Sequence, residues 1–266
     1  MLATKSLFWC IVACVSQVAT GLALPKPWTF NNNPLLPRHT DKAEAKGFGN
    51  GVSLRIMPLG ASITYGYKST DGNGYRKVLM ERLVAYGNQV DMVGDHPNGT
   101  MKDNATEGWP SYVIDQVHEK AKTAVPEFKP NLILVNVGTN DCRDNASVGE
   151  AGGRLASMLD DLYVESAEAT VILSTLIVNR DAATRRNVLD FNAQLKDVAS
   201  SFRSDSKKNK RLVLVDMQAD GGPTLDDLSD DGTHPTDAGY RKMADVWFDG
   251  IREADRQRYL QQAEAL

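Results

Sequence analysis

Asn131 to Val137 reads Asn-Leu-Ile-Leu-Val-Asn-Val, an almost unbroken apolar run with no polar alternation. A strand of that kind must be covered on both faces, which is the situation of a central strand in a parallel sheet sandwiched between helices. Four further runs repeat the theme. They fall at about 53–59, 89–93, 170–176 and 211–216, and segments with helical apolar spacing separate them, at about 74–86, 111–123, 149–166, 184–203 and 236–262. Strands alternating with helices predict one three-layer α/β/α domain around a five-stranded parallel sheet with right-handed crossovers. In such a sheet, functional groups gather beyond the carboxyl ends of the strands.

Three post-strand loops carry residues of chemical interest. Ser62 follows the first strand across the small turn Gly60-Ala61. Gly138-Thr139-Asn140-Asp141 follows the central strand. Asp230-Asp231-Gly232-Thr233-His234-Pro235 follows the fifth. A serine in this place is a nucleophile or a turn cap. Of four histidines, His39 lies in the N-terminal tail, His96 in a polar loop and His118 in mid-helix as a surface residue. His234 alone follows a core strand with an acid three residues away. Asp231 and His234 are then an oriented base, or a capping pair in a solvated acidic loop. Asn140 is an oxyanion donor or a turn asparagine. The acidic loop lacks the alternating spacing of a calcium loop, and no metal or other cofactor is expected.

In order, the blocks Pro58-Leu59-Gly60-Ala61-Ser62-Ile63-Thr64, Glu107 to Asp115 (Glu-Gly-Trp-Pro-Ser-Tyr-Val-Ile-Asp), Val137 to Asp141 and Asp231 to Pro235 resemble those of the SGNH (GDSL-type) hydrolases. Their wording is most similar to the fungal secreted carbohydrate esterases of family three. The resemblance runs over about Leu54 to Phe248 and implies a flavodoxin-like SGNH hydrolase fold. It implies Ser62 as nucleophile, His234 as base and acid, Asp231 as the residue orienting it, and Asn140 and the Ser62 N–H as oxyanion donors. The family's second-block glycine aligns with Ser111, or with Gly108 in a shifted register. A serine at that position is strained if the backbone needs a positive φ. The family's usual aspartate before the nucleophile is Ala61 here. The implied activity is hydrolysis of carboxylic esters, acetyl esters of cell-wall polysaccharide such as acetylated xylan above all. A lysophospholipase or short-chain lipase and a catalytically weak carbohydrate-binding protein are the alternatives on the same fold. Tyr65, Trp109 and Tyr112, with Tyr67, are candidate sugar-contacting aromatics.

Composition limits the rest. The 266 residues carry a formal net charge of −4, with no basic footprint for nucleic acid. Residues 1–23 read as a secretory signal: Lys5, then the short apolar run Leu7 to Val15, then Gly21-Leu22-Ala23. Its removal leaves no stable membrane anchor and takes Cys10 and Cys14 with it, so Cys142 remains without a disulfide partner. Residues 24–51, rich in Pro, Asn and Gly, read as a flexible lead-in, and 52–266 as the catalytic domain. A secreted, extracellular monomer is expected, with glycosylation sequons at Asn98, Asn104 and Asn145.

Overall fold

The computed structural model describes residues 46–204 and 210–266. The signal, most of the lead-in and His39 lie outside the described residues. The chain runs β1 (Leu54–Gly60), α1 (Ser62–Tyr65), α2 (Arg76–Ala85), β2 (Val90–Met92), β3 (Glu107–Gly108), α3 (Ile114–Phe128), β4 (Leu132–Asn136), α4 (Thr139–Asp144), α5 (Ala151–Glu165), β5 (Thr170–Ser174), α6 (Ala182–Ser204), β6 (Leu212–Val215) and α7 (Asp237–Arg256). The strands form one parallel sheet in the order β2-β1-β4-β5-β6. The five strands read from the sequence are these five. The two-residue β3 adds a sixth, pairing beside Leu59 and Gly60 within the stretch read as polar loop.

Every residue of β4 is buried. Ile133 and Val135 pack with α3, α5 and α6 on one face, while Leu132 and Leu134 pack with α2 and α7 on the other. The period-two pleat therefore feeds two cores from one apolar strand, each side chain contributing about 1.5–3 kcal/mol relative to exposure.

Pro58 sits inside β1, where a proline is normally excluded. The even-numbered residues of β1 turn their amide edges towards β2 and β3: Leu54 donates to Gln89, and Ile56 and Gly60 accept from Val93 and Trp109. Pro58 thus faces the gap where β2 has ended and β3 has not begun. Its carbonyl is met there by the Thr106 hydroxyl at 3.3 Å.

At the lead-in's end, Phe48 is buried and its ring stacks on Tyr86 at 4.2 Å. Asn88 holds the Phe48 amide and carbonyl with its side chain. The packed body thus begins a few residues before position 52, because one aromatic side chain closes the outer end of the α2–α7 face. Among the described residues, no helix is long and apolar enough to cross a membrane.

Arg76, the first residue of α2, is fully buried and donates to the carbonyls of Tyr65, Gly72, Asn98 and Asn104 at 2.8–3.1 Å. Its burial pulls its pKa down. One guanidinium therefore ties the segment after Ser62 to the loop after β2. Replacing it with an apolar chain leaves the Asn98 carbonyl without its donor, which costs about 1–3 kcal/mol, while Asn98 Nδ2 still serves the Tyr65 and Gly72 carbonyls and the Asn98 N–H the Asn104 carbonyl. Arg76→Met is expected to lower stability by about 1–3 kcal/mol in urea unfolding.

Candidate active site

β1 ends at Gly60, where a Cβ would stand 2.1 Å from the Asn136 carbonyl of β4. No larger residue fits, so the two strands close together here and the chain turns directly into α1. Ala61 is the N-cap of α1 and offers no side-chain hydrogen bond, so Ser62 does not cap this helix. Its hydroxyl instead lies 2.8 Å from His234 Nε2.

His234 reaches Ser62 from the loop after β6, whose shape is set locally. Gly232 adopts φ +70, and Ser229 N donates to the His234 carbonyl at 2.8 Å, which folds Leu228 to Pro235 into a small antiparallel loop. Asp231 Oδ1 accepts from the amides of Thr233 and His234 and from the Ser229 hydroxyl, each at 2.9 Å. Its Oδ2 lies 2.7 Å from His234 Nδ1. Partial burial pushes the Asp231 pKa up. The two amides, the His234 ring and the Ser229 hydroxyl outweigh that and hold the carboxyl well below the usual carboxylate range. Nδ1–H donating to this carboxylate leaves Nε2 as the acceptor that a serine hydroxyl needs. Helix capping is done elsewhere, by Thr236, whose hydroxyl accepts from Gly239.

Two residues the sequence did not single out hold this loop. Arg180, after β5, donates its guanidinium to the carbonyls of Leu225, Leu228 and Ser229, and its amide to Gly232. Asn179 donates to the Thr233 hydroxyl at 3.0 Å.

On the opposite side, Trp109 to Tyr112 forms a tight turn. Tyr112 N donates to the Trp109 carbonyl, Pro110 takes the second position and Ser111 the third with φ +70. That is the type II pattern, whose third position favours glycine. The positive φ set out as a condition for strain is therefore met at Ser111. Gly108 is a glycine for another reason. It lies in β3 beneath α1, where a Cβ would stand 2.5 Å from the Tyr65 nitrogen, and its carbonyl is taken by His96 Nδ1 at 2.7 Å.

Asn140 and Asp141 tie this turn to β4. Asn140 Nδ2 donates one hydrogen to the Tyr112 carbonyl at 2.8 Å, and its second N–H has no acceptor among the described residues. Asp141 accepts from Ile114 N, at the start of α3, and from Arg154. Burial raises the Asp141 pKa more than the Arg154 guanidinium lowers it.

The candidate aromatics form a filled column. Tyr65 stacks on His96 at 4.7 Å, His96 on Trp109 at 4.2 Å, and Tyr112 lies 5.7 Å beyond. Lys120 Nζ stands 4.1 Å from the Trp109 ring centroid. A parallel ring and an ammonium cannot share a face at those distances, so both faces of Trp109 are covered. Glu107, buried with its pKa raised by burial, accepts the indole N–H. Trp109 is packed as a wall rather than as an open platform. His118 is not a free surface residue, since its Nε2 meets Asp161 across α3 and α5 at 2.8 Å. Cys142 is buried, and that burial pushes its thiol up to about 12. No cluster of side chains suited to a metal ion occurs among the described residues.

Residues 59–242 match the GDSL-like lipase/acylhydrolase family, well over half of the sequence. The chain belongs to this family. Membership makes the domain a carboxylic ester hydrolase by class. A multidomain esterase of Ruminococcus flavefaciens is 29% identical over 270 residues, covering 88% of this chain and 32% of that protein. A putative endoglucanase X of Acetivibrio thermocellus is 22% identical over 135 residues, covering 51% of this chain and 56% of that one. The chain thus spans about a third to just over half of the curated relatives it matches. Among solved structures, a Clostridium thermocellum family 3 carbohydrate esterase shares the fold, with TM-score 0.67 and 21% identity over 77% of this chain and 98% of that one. A family 3 carbohydrate esterase of Talaromyces cellulolyticus gives TM-score 0.65 and 20% identity, over 77% and 99%.

The strained turn makes a simple prediction. Ser111→Gly keeps the backbone N–H and removes the left-handed penalty of about 1–2 kcal/mol, partly offset by the freer unfolded chain. It should raise Tm by about 1–4 °C in calorimetry and leave ester hydrolysis intact.

Proposed function

We propose that the domain is a secreted serine esterase that removes acetyl groups from a polysaccharide, acetylated xylan above all. One observation carries the catalytic part: an unbroken relay from Ser62 Oγ through His234 to Asp231, with contacts of 2.8 and 2.7 Å. Ser62 Oγ attacks the ester carbonyl as its proton passes to His234 Nε2. The oxyanion is received by the backbone N–H groups of Ser62 and Ser111 and by the free N–H of Asn140. Collapse breaks the carbon–oxygen bond to the alcohol, and His234 returns the proton to that oxygen. Water, deprotonated by the same nitrogen, then attacks the acyl carbon; the bond to Ser62 Oγ breaks, the carboxylic acid leaves and Nε2 returns the proton to Oγ. Asp231 stabilises the imidazolium at both stages. The acetyl-polysaccharide part is supported by the wording of the four blocks and by likeness to a multidomain esterase and to family 3 carbohydrate esterases.

A fluorophosphonate probe should label Ser62, and Ser62→Ala should abolish labelling while cutting kcat by at least ~10⁴-fold. Wild-type protein that is folded yet unlabelled would sink the enzyme reading. Acyl preference is read from a series of p-nitrophenyl esters, with acetate fastest; a preference for long chains would replace the carbohydrate reading with a lipase one.

The pH dependence follows from the relay. The relay needs an ionised Asp231 to hold Nδ1–H, and that carboxyl is held far below its usual range, so it stays ionised in mild acid. Its folded-state pKa lies below the unfolded one, so its stabilising contribution is full above about pH 4 and is lost only as pH falls further. Asp231→Asn should therefore be less stable than wild type in urea unfolding at pH 7, with the difference shrinking only below about pH 4; a difference that closes by about pH 5 would count against the assignment.

Secretion would expose three sequons to glycosylation, and they are not equivalent. Asn98 Nδ2 already donates to the Tyr65 and Gly72 carbonyls at 2.8 and 3.0 Å, and Asn104 Nδ2 to Gly99 at 3.0 Å. Asn145 is exposed at the end of α4. Expression in a eukaryotic secretory host followed by peptide mass spectrometry should find glycan on Asn145 and leave Asn98 and Asn104 bare.

A further inference from the structure

The loop between α1 and α2 places one aromatic ring where the packed column does not reach. Gly66 closes α1 in a left-handed conformation, and Tyr67 N turns back to the Ser62 carbonyl at 3.0 Å. The Tyr67 carbonyl accepts from the Tyr240 hydroxyl at 2.6 Å. Beside it, Lys68 pairs with Asp230 at 3.0 Å, and Thr70 donates its amide and hydroxyl to Asp237. The backbone at Tyr67 is thus fixed from α1, from α7 and from the loop that carries His234. Its side chain is not enclosed: Tyr67 is 49% exposed. The ring stands 4.7 Å from the His234 ring with the planes at 64°. In an edge-to-face pair, the imidazole covers at most one face of the tyrosine. The other face has no ring partner among the described residues.

Chemistry assigns the two sides of Ser62 to different parts of an ester. The acyl oxygen points to the oxyanion donors at Ser111 and Asn140. The leaving oxygen must lie within reach of His234 Nε2, which protonates it. The alcohol therefore departs on the imidazole side, where Tyr67 stands. A pyranose ring presents an apolar face of C–H groups that suits an exposed aromatic face, and burying it removes apolar area from water.

We infer that Tyr67 is the stacking subsite for the sugar ring of the leaving alcohol, a role that rests on the esterase reading above. A pinned backbone with an exposed ring suits this task, because little backbone freedom is lost on binding.

The test compares two acetyl esters with the full chain. One is an acetylated xylo-oligosaccharide. The other is ethyl acetate, whose alcohol is too small to reach Tyr67, with acid release followed by pH-stat. The ratio of kcat/KM for the sugar ester to that for ethyl acetate should fall about 5-fold or more in Tyr67→Ala. The fall should appear mainly in KM for the sugar ester, and Tyr67→Phe should restore the ratio. In a Ser62→Ala background, Tyr67→Ala should also weaken binding of unacetylated xylotriose measured by NMR titration. If both esters slow in equal proportion, Tyr67 only props His234 and the inference is overturned while the esterase reading stands. Wild-type protein that cleaves ethyl acetate but not the sugar ester overturns the sugar assignment, and this inference with it. Wild-type protein that cleaves neither overturns the esterase reading.

Discussion

The close approach of β1 and β4 at their carboxyl ends governs the rest of the molecule. Both strands are buried on both faces, so neither can slide without exposing an entire set of apolar side chains. Gly60 lets them meet against the Asn136 carbonyl, and each chain must leave the sheet at once. The sheet order β2-β1-β4 shows that their connections run to opposite sides at this point. The crevice this opens is where an open parallel sheet binds ligands. Ser62 and Asn140, 78 positions apart in sequence, enter it because their strands are neighbours.

Strands bring the loops to one edge, but they do not fix the loops to within a hydrogen bond. Two guanidinium groups contribute much of that fixation. Arg76 collects four carbonyls around the segment after Ser62, and Arg180 collects three around the segment before His234. Arginine suits the task, since its planar fork presents five donors and irregular loops are rich in unpaired carbonyls. The two clamped segments are joined by Lys68 to Asp230 and Thr70 to Asp237. The Ser62–His234 distance is thus set by polar contacts, while the apolar core decides which strands are adjacent.

That division explains what could be read from the sequence. The five main strands were legible because continuous apolar runs have one stable home in a three-layer fold. Ser62, Asn140, Asp231 and His234 were legible because each follows such a run. The conformation at Ser111 was legible as a condition, and Pro110 beside it was the unused cue for a type II turn. β3 was missed because two residues leave no period to detect. Arg76 was missed because a charged residue at a helix start reads as solvent-facing. Its spacing with Leu79 and Leu83, all three buried, was the signal that it faces inward. Arg180 gave no such signal, since its partners are backbone carbonyls of any sequence. Trp109 read equally as a sugar-contacting aromatic or as wall packing, because the His96 ring and the Lys120 ammonium that cover it come from other segments.

The two rims of the site consequently differ in kind. The rim proposed to receive the oxyanion is built from packed material: the column of Tyr65, His96, Trp109 and Tyr112 behind the turn, with Asn140 and Asp141 bonded into it. Stabilising a developing charge requires donors that do not move, and close packing supplies that rigidity. The rim proposed for the alcohol is a short loop tied down by the Tyr67 carbonyl and by the Lys68 and Thr70 side chains, with the Tyr67 ring exposed. A substitution of Tyr67 changes what the ring beside the imidazole meets and leaves Ser111 and Asn140 untouched. On the proposed reading, alcohol specificity would vary through the exposed ring of Tyr67, while Gly66, Lys68 and Thr70 are held by the contacts that fix the loop. On the other rim, any change in the column would first disturb the turn at Ser111 and the Asn140 amide bonded to it.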